Sequence, residues 1–452
     1  MASKLEEVKN SSCKHRTDLA YSRDSRHLAI TSDNTAHILT YKKEDATWFK
    51  CTFEYHKRFG YTPCFSPDSC SLVISSADMR AFIFDFCMGE WNKILDVPAE
   101  LSSSRYSHNS RYLATYILRP DDKGEWESSL CTLFSRDEQR NLLQNTQKSY
   151  SDVIKKFCFS PNDQFLLTML KRHVEIQDLD DLNSKPQHFI VVGTDDFHNG
   201  LFTPNSHTLV TTFNKGKPTN IYVYSEEKKL WELNHCVNSF TGIKHIKFSH
   251  DSQTMLITTL FDCTARIFVS DKSCWKKQSS IPNTHDRLSS TGFSNSGRYL
   301  VLDLEDKLNS LIFTRNNVGN WVEKQRIKHS DTIASIRFSR NDRHLVATSD
   351  NKISTIYTLS DEALFVESAQ IAHHCDGYGH PPEFYPDCQR LLTAKDNIAR
   401  ILAVDETGHW KDLQDLPHKG TVKYARLSPD GSTVATVTRD HTLHIFMEDA
   451  ST

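Results

Sequence analysis

Glycine is scarce in this chain of 452 residues, 15 in all, and proline scarcer at 14, so tight turns must draw on other residue types. No stretch approaches the 18 or more apolar residues of a membrane-spanning helix, and the start, MASKLEEVKN, has charges where a signal peptide needs an apolar core. The reading is therefore a cytoplasmic protein with no membrane partner. The formal charge of -3, with no polybasic run, gives no general attraction to phosphate backbones, which argues against nucleic acid. Twelve cysteines are scattered without a CxxC pair, mostly in strand-like runs such as Lys156-Phe157-Cys158-Phe159. They read as reduced core thiols. No Walker loop, dinucleotide fingerprint or GxSxG elbow occurs, and no cofactor is expected.

What is present is a repeat. An aromatic residue or Leu, then Ser (once Thr, once Tyr), then two or three turn formers, precedes an apolar run. The copies begin Tyr21-Ser22-Arg23-Asp24, Phe65-Ser66-Pro67-Asp68, Tyr106-Ser107-His108-Asn109, Phe159-Ser160-Pro161-Asn162 and Phe202-Thr203-Pro204-Asn205. They continue with Phe248-Ser249-His250-Asp251, Phe293-Ser294-Asn295-Ser296, Phe338-Ser339-Arg340-Asn341, Phe384-Tyr385-Pro386-Asp387 and Leu427-Ser428-Pro429-Asp430. Successive anchors lie 41 to 53 residues apart. Each copy predicts a β-hairpin, with apolar segments on both sides of a turn. A second turn, marked by Asp33, Asp78, Asp262, Asp350, Asp396 and Asp440, leads into a third strand. Trp48, Trp91, Trp231, Trp275, Trp321 and Trp410 stand 16 to 19 residues before the next anchor and announce a fourth. A large ring recurring in register is what packing between neighbouring sheets requires. Four short strands in about 45 residues make one propeller blade.

On these motifs the chain resembles the WD-repeat family over residues 4–446, as a divergent branch. The Trp-Asp dipeptide is absent, with Leu39, Phe84, Phe268, Leu402 and Phe446 in the Trp place. The family's hydrogen-bond set of His, Ser or Thr, Asp and Trp is incomplete, blade eight coming nearest with His329, Thr348 or Ser349, and Asp350. The resemblance implies an all-β propeller of about ten four-stranded blades. Residues 1–13 are expected to supply the closing strand of the last blade, 14–446 the propeller and 447–452 a short tail. Leu5-Glu6-Glu7-Val8 stands where that outer strand is missing, and matching ends favour one closed ring. Ten blades exceeds the usual four to eight, and two smaller rings are the alternative.

Function follows from the same resemblance: a non-catalytic scaffold or adaptor, monomeric, binding a protein or peptide partner through a loop face and central channel. Binding is expected on the entering loops, at Arg58, Phe59, Tyr61, Phe197, His198, His374, Tyr378 and His380. Aromatic, Arg and His side chains on loops of a rigid scaffold are the material of hot spots. The longer segments Ile117 to Trp126 and Asn214 to Pro218 lie on the same side. The alternative is a propeller enzyme or metal-dependent hydrolase. His373, His374, Cys375, Asp376 and His380, with Cys388 near, are zinc-type ligands, yet they lack a paired CxxC or HxxxH spacing, and no metal is expected. Asp195-Asp196 and Asp121-Asp122 read as solvated turns rather than acid/base pairs. Ser428 to Thr433 resembles the Asp boxes of sialidases, but as a single copy.

Overall fold

The computed structural model describes residues 5–12, 17–32, 35–45, 47–54, 63–76, 79–99, 104–120, 126–137, 139, 141–171, 173–182, 185–190, 197–213, 219–237, 243–259, 264–271, 274–281, 291–304, 308–372 and 382–448. Among them are forty strands and no helix. Every strand belongs to one of ten four-stranded antiparallel sheets, the blades of a β-propeller. Blades 1 to 9 each use four consecutive strands, over 17–54, 64–98, 105–150, 154–190, 197–237, 243–281, 292–328, 333–372 and 383–417. Blade 10 takes three strands from 422–448 and its fourth from Leu5–Ser12, which pairs antiparallel with Thr442–Glu448 from Leu5 opposite Glu448 to Ser12 opposite Thr442. The spacing of the chain ends predicts this exchange. The chain divides into two compact units, Met1–Gly200 with Ser428–Thr433 and His441–Thr452, and Leu201–Leu427 with Val434–Asp440.

In every blade but the ninth, where Tyr385 holds the place, the turn after the first strand is built around an anchor hydroxyl. Ser22 Oγ donates to Asp24 Oδ1 at 2.6 Å and accepts from the His27 N–H at 2.9 Å, and Ser66, Ser249 and Ser428 repeat the arrangement. The last turn residue lies at positive φ, near 60°, at Ser25, Ser69, Ser110, Asp163, Ser206, Ser252, Asp342 and Cys388, and only Gly297 and Gly431 are glycine there. Glycine is the cheap occupant of this conformation. Six of the side chains that replace it, those of Ser25, Ser69, Ser110, Asp163, Ser252 and Asp342, bolt one blade to the next. Asp24 N–H donates to Ser69 Oγ at 3.0 Å, Asp68 N–H to Ser110 Oγ at 2.9 Å, and Asn205 N–H to Ser252 Oγ at 3.0 Å. Asp163 accepts from His108 and Asn109, and Asp342 from Asn295. Asp430 N–H donates to Ser25 Oγ at 3.0 Å, so the last turn is bolted to the first.

The recurrent tryptophans form the second set of joints. All six are buried. Trp91 Nε1 donates to Thr40 Oγ1 at 3.1 Å, Trp275 Nε1 to Thr208 Oγ1 at 3.4 Å, Trp321 Nε1 to Thr254 Oγ1 at 3.2 Å and Trp48 Nε1 to Met447 Sδ at 3.1 Å, each on the preceding blade. Trp410 instead meets the His344 ring edge-on, with centroids 5.2 Å apart. The apolar core lies between sheets: Ala29, Ala36 and Ile38 of blade 1 pack on Leu72, Ile74, Phe82 and Phe84 of blade 2. Leu39, Phe84, Phe268, Leu402 and Phe446, in the Trp place of the missing dipeptide, are all buried. In seven blades a β-bulge between the third and fourth strands falls at this place, as between Ile83 and Phe84 or Ile401 and Leu402.

Candidate partner-binding surface

Most of the side chains expected to bind a partner belong to residues 55–62 and 373–381, so Arg58, Phe59, Tyr61, His374, Tyr378 and His380 lie outside the described residues. Phe197 and His198 open the first strand of blade 5, and their side chains are likewise outside the description. Of the zinc-type cluster only Cys388 is described. It is buried in the turn of blade 9, at positive φ, with its thiol toward the Pro386 carbonyl.

On that same side of blade 3, much of the segment from Ile117 to Trp126 is strand rather than loop. Tyr112–Pro120 and Trp126–Arg136 run nine and eleven residues, where the second strands of blades 1, 2 and 4 have six. Three extra residues carry the hairpin about 10 Å farther along the strand. Near its tip Trp126 pairs with Pro120 in the ladder and is 45% exposed, beside exposed Arg119 and Pro120. It is the one tryptophan outside the recurrent set.

Buried polar groups could be mistaken for catalytic ones. Ser310 Oγ donates to Asp303 Oδ1 at 3.1 Å and lies 2.7 Å from His329 Nε2, a Ser, His and Asp together. Ser310 is fully buried, Asp303 and His329 nearly so, and the hydroxyl rather than the imidazole stands in the middle. The order of a nucleophilic triad, base between nucleophile and carboxylate, is not met. The cluster is a joint: Ser310 is on blade 7, and Tyr357 OH of blade 8 approaches His329 Nδ1 at 3.4 Å. His329 thus pairs with blade 7, while Ser349 Oγ donates to Asn351 Oδ1 in its own turn. Blade 10 holds the closer likeness to the family's set, with His418 Nε2 2.6 Å from Thr436 Oγ1 and the Thr438 hydroxyl donating to Asp440.

A charged constellation that sequence reading passed over lies at the turn ends of the first strands. Arg337, Glu383 and Arg426 each stand two residues before the anchor of blades 8, 9 and 10, and Arg340 follows Ser339 in the blade 8 turn. Burial pushes the Glu383 carboxyl above the usual carboxylate range, against the pull of Arg426, the Leu427 N–H, Arg337 and Arg340. Lost hydration and the like charge of Arg426 hold Arg337 below the usual guanidinium range, Glu383 acting in the opposite sense. The signal was available, since all three residues share one offset from a motif already aligned.

The family model for the WD domain, G-beta repeat, matches residues 322–354 and 410–446. Each match runs from the fourth strand of one blade into the next blade, the joint that the tryptophans make. These two stretches are WD repeats, set in a ten-bladed β-propeller. No curated protein matches it in sequence. Among solved structures, this propeller is similar to a eukaryotic initiation factor at TM-score 0.56 and 14% identity, over 89% of this chain and 95% of that one. It is also similar to the Dos1 propeller at TM-score 0.47 and 11% identity, over 98% and 95%. A putative 6-phosphogluconolactonase from Bacteroides fragilis aligns at TM-score 0.38 and 12% identity, over 77% and 95%. The first likeness, at 14% identity, is one of fold alone.

Proposed function

We propose that this WD-repeat propeller is a non-catalytic interaction scaffold of the cytoplasm that holds a protein or peptide partner on the side of its second-to-third strand hairpins and entering loops. The observation that carries the reading is the blade 3 hairpin. Blade 3 is bolted to blades 2 and 4, and its hairpin runs past the six-residue norm and exposes Trp126 beside Arg119. An exposed Trp next to an Arg is the pairing from which interface hot spots are built. Elsewhere in the chain each recurrent Trp is spent on packing, so this one is free for another surface.

Proximity labelling with the full chain tests the reading. Trp126→Ala with Arg119→Ala, and separately Ala at Arg58, Tyr61, Phe197 and Tyr378, are expected to strip the labelled set of its main members while the melting temperature stays put. An unchanged set in both variants would refute the assignment.

A further inference from the structure

Six arginines of this chain are held in close ion pairs. Arg80, Arg136, Arg315, Arg326, Arg390 and Arg400 each hold a carboxylate at 3.1 Å or less. Arg337, Arg340 and Arg426 differ: among the described residues none of their guanidinium groups makes a hydrogen bond or an ion pair, yet all three act on the charge of one carboxyl group, Glu383. That carboxyl accepts from the Leu427 N–H, and its Oε2 is buried without a hydrogen-bond partner. Three like charges around one opposite charge leave an excess of two, in a chain whose formal charge is -3. The acids of the adjoining turns do not offset it by contact. Asp342 accepts from Ser294 and Asn295, Asp387 from Arg390 and the Gln389 N–H, and Asp430 from Ser428 and Ser432.

Arg337 and Arg340 are exposed and Arg426 is half-buried, so the unpaired guanidinium groups can be reached from solvent. Residues at one offset on three neighbouring first strands project on the same side of those strands. Glu383 serves as the internal counter-charge that lets the three arginines stay close, and it does not satisfy them. Planar guanidinium forks pair bidentately with carboxylate and phosphate oxygens, and desolvated pairs of that kind are strong.

We propose that the turn ends of blades 8, 9 and 10 form an anion-recognition site for an acidic peptide, in which Arg337, Arg340 and Arg426 together grip a carboxylate or phosphate group. The site is independent of the blade 3 hairpin and goes beyond the scaffold reading. It says that one partner segment carries clustered Asp, Glu or phosphorylated side chains.

Fluorescence anisotropy on the full chain tests this with labelled hexaglutamate, a phosphoserine peptide, hexalysine and a single-stranded oligonucleotide of matched charge. Binding of either acidic peptide is expected, weakening as salt rises. The stronger of the two names the source of the anion. Arg337→Ala with Arg426→Ala should weaken it about tenfold or more, the scale of lost charged hydrogen bonds. Arg326→Ala, which removes an exposed arginine paired with Glu323 on the fourth strand of blade 7, should leave it nearly unchanged. Glu383→Gln, by deleting the counter-charge, should tighten it. Should the double variant melt early, exposed Arg337→Ala alone decides, with a several-fold loss expected and no change overturning the proposal. Equal losses in Arg326→Ala and the double variant would reduce the effect to general charge. Tighter binding of the oligonucleotide than of both peptides would overturn the choice of partner.

Discussion

Four histidines tie the stability of the propeller to pH. His27, His37, His329 and His344 are buried, and loss of hydration lowers each from an ordinary 6.5 to about 4. Each keeps a ring nitrogen on a hydroxyl: His27 on Thr40 at 2.9 Å, His37 on Thr52 at 3.0 Å, His329 on Ser310 at 2.7 Å and His344 on Thr358 at 3.1 Å. Between pH 6.5 and 4 the unfolded chain binds these protons and the folded chain does not, so stability rises with pH across that window. Above it their protonation contributes nothing. The melting temperature should therefore fall steadily as pH drops from 6.5 toward 4, and His329→Gln should flatten that slope. A profile that is level between pH 7 and 5 would mean that these rings are charged in the fold.

The blade is the unit that the sequence spelled out most completely. Its anchor turn is legible because the determinants are local: a Ser hydroxyl, an Asp or Asn two residues on, and the N–H five residues on all meet in one turn. The tryptophan spacing is legible because each ring fills the same gap. What stayed hidden depends on the stacking of blades. Arg337, Glu383 and Arg426 lie 46 and 43 positions apart, and their shared offset from the anchors gains a meaning only when three sheets stand side by side. In the longer blade 3 segment Arg119-Pro120-Asp121-Asp122 carries turn formers, whereas Ile117 and Leu118 continue the ladder opposite Leu130 and Ser129. The joint between blades can be tested at Trp321, which is 5% exposed and reaches Thr254 of the preceding blade. Trp321→Ala should cost about 3 to 5 kcal/mol in denaturant unfolding, the usual range for emptying so large a core site. A loss under about 1 kcal/mol, the ordinary scale of surface substitutions, would show that the blades hold together without it.

At the scale of the molecule, the exchange of the first strand into the last blade is a tie across nearly the full length of the chain. Leu5–Ser12 covers the edge of Thr442–Glu448, and its ladder includes a bulge between Glu7 and Lys9. Remove that cover and the strand presents unpaired N–H and C=O groups, a template for another chain. Other ties between the ends would survive: Asp430 N–H on Ser25, Trp48 on Met447, and Thr433 Oγ1 on the Tyr21 hydroxyl at 3.2 Å. Deleting residues 1–12 should for that reason weaken the fold without abolishing it. The shortened chain is expected to melt at a lower temperature and to associate as its concentration rises, through the bared edge of blade 10. Adding the peptide Leu5–Ser12 in excess should reverse both effects by re-pairing with Thr442–Glu448. A shortened chain that melts with the full one and stays dispersed would show that the first strand contributes nothing to the last blade.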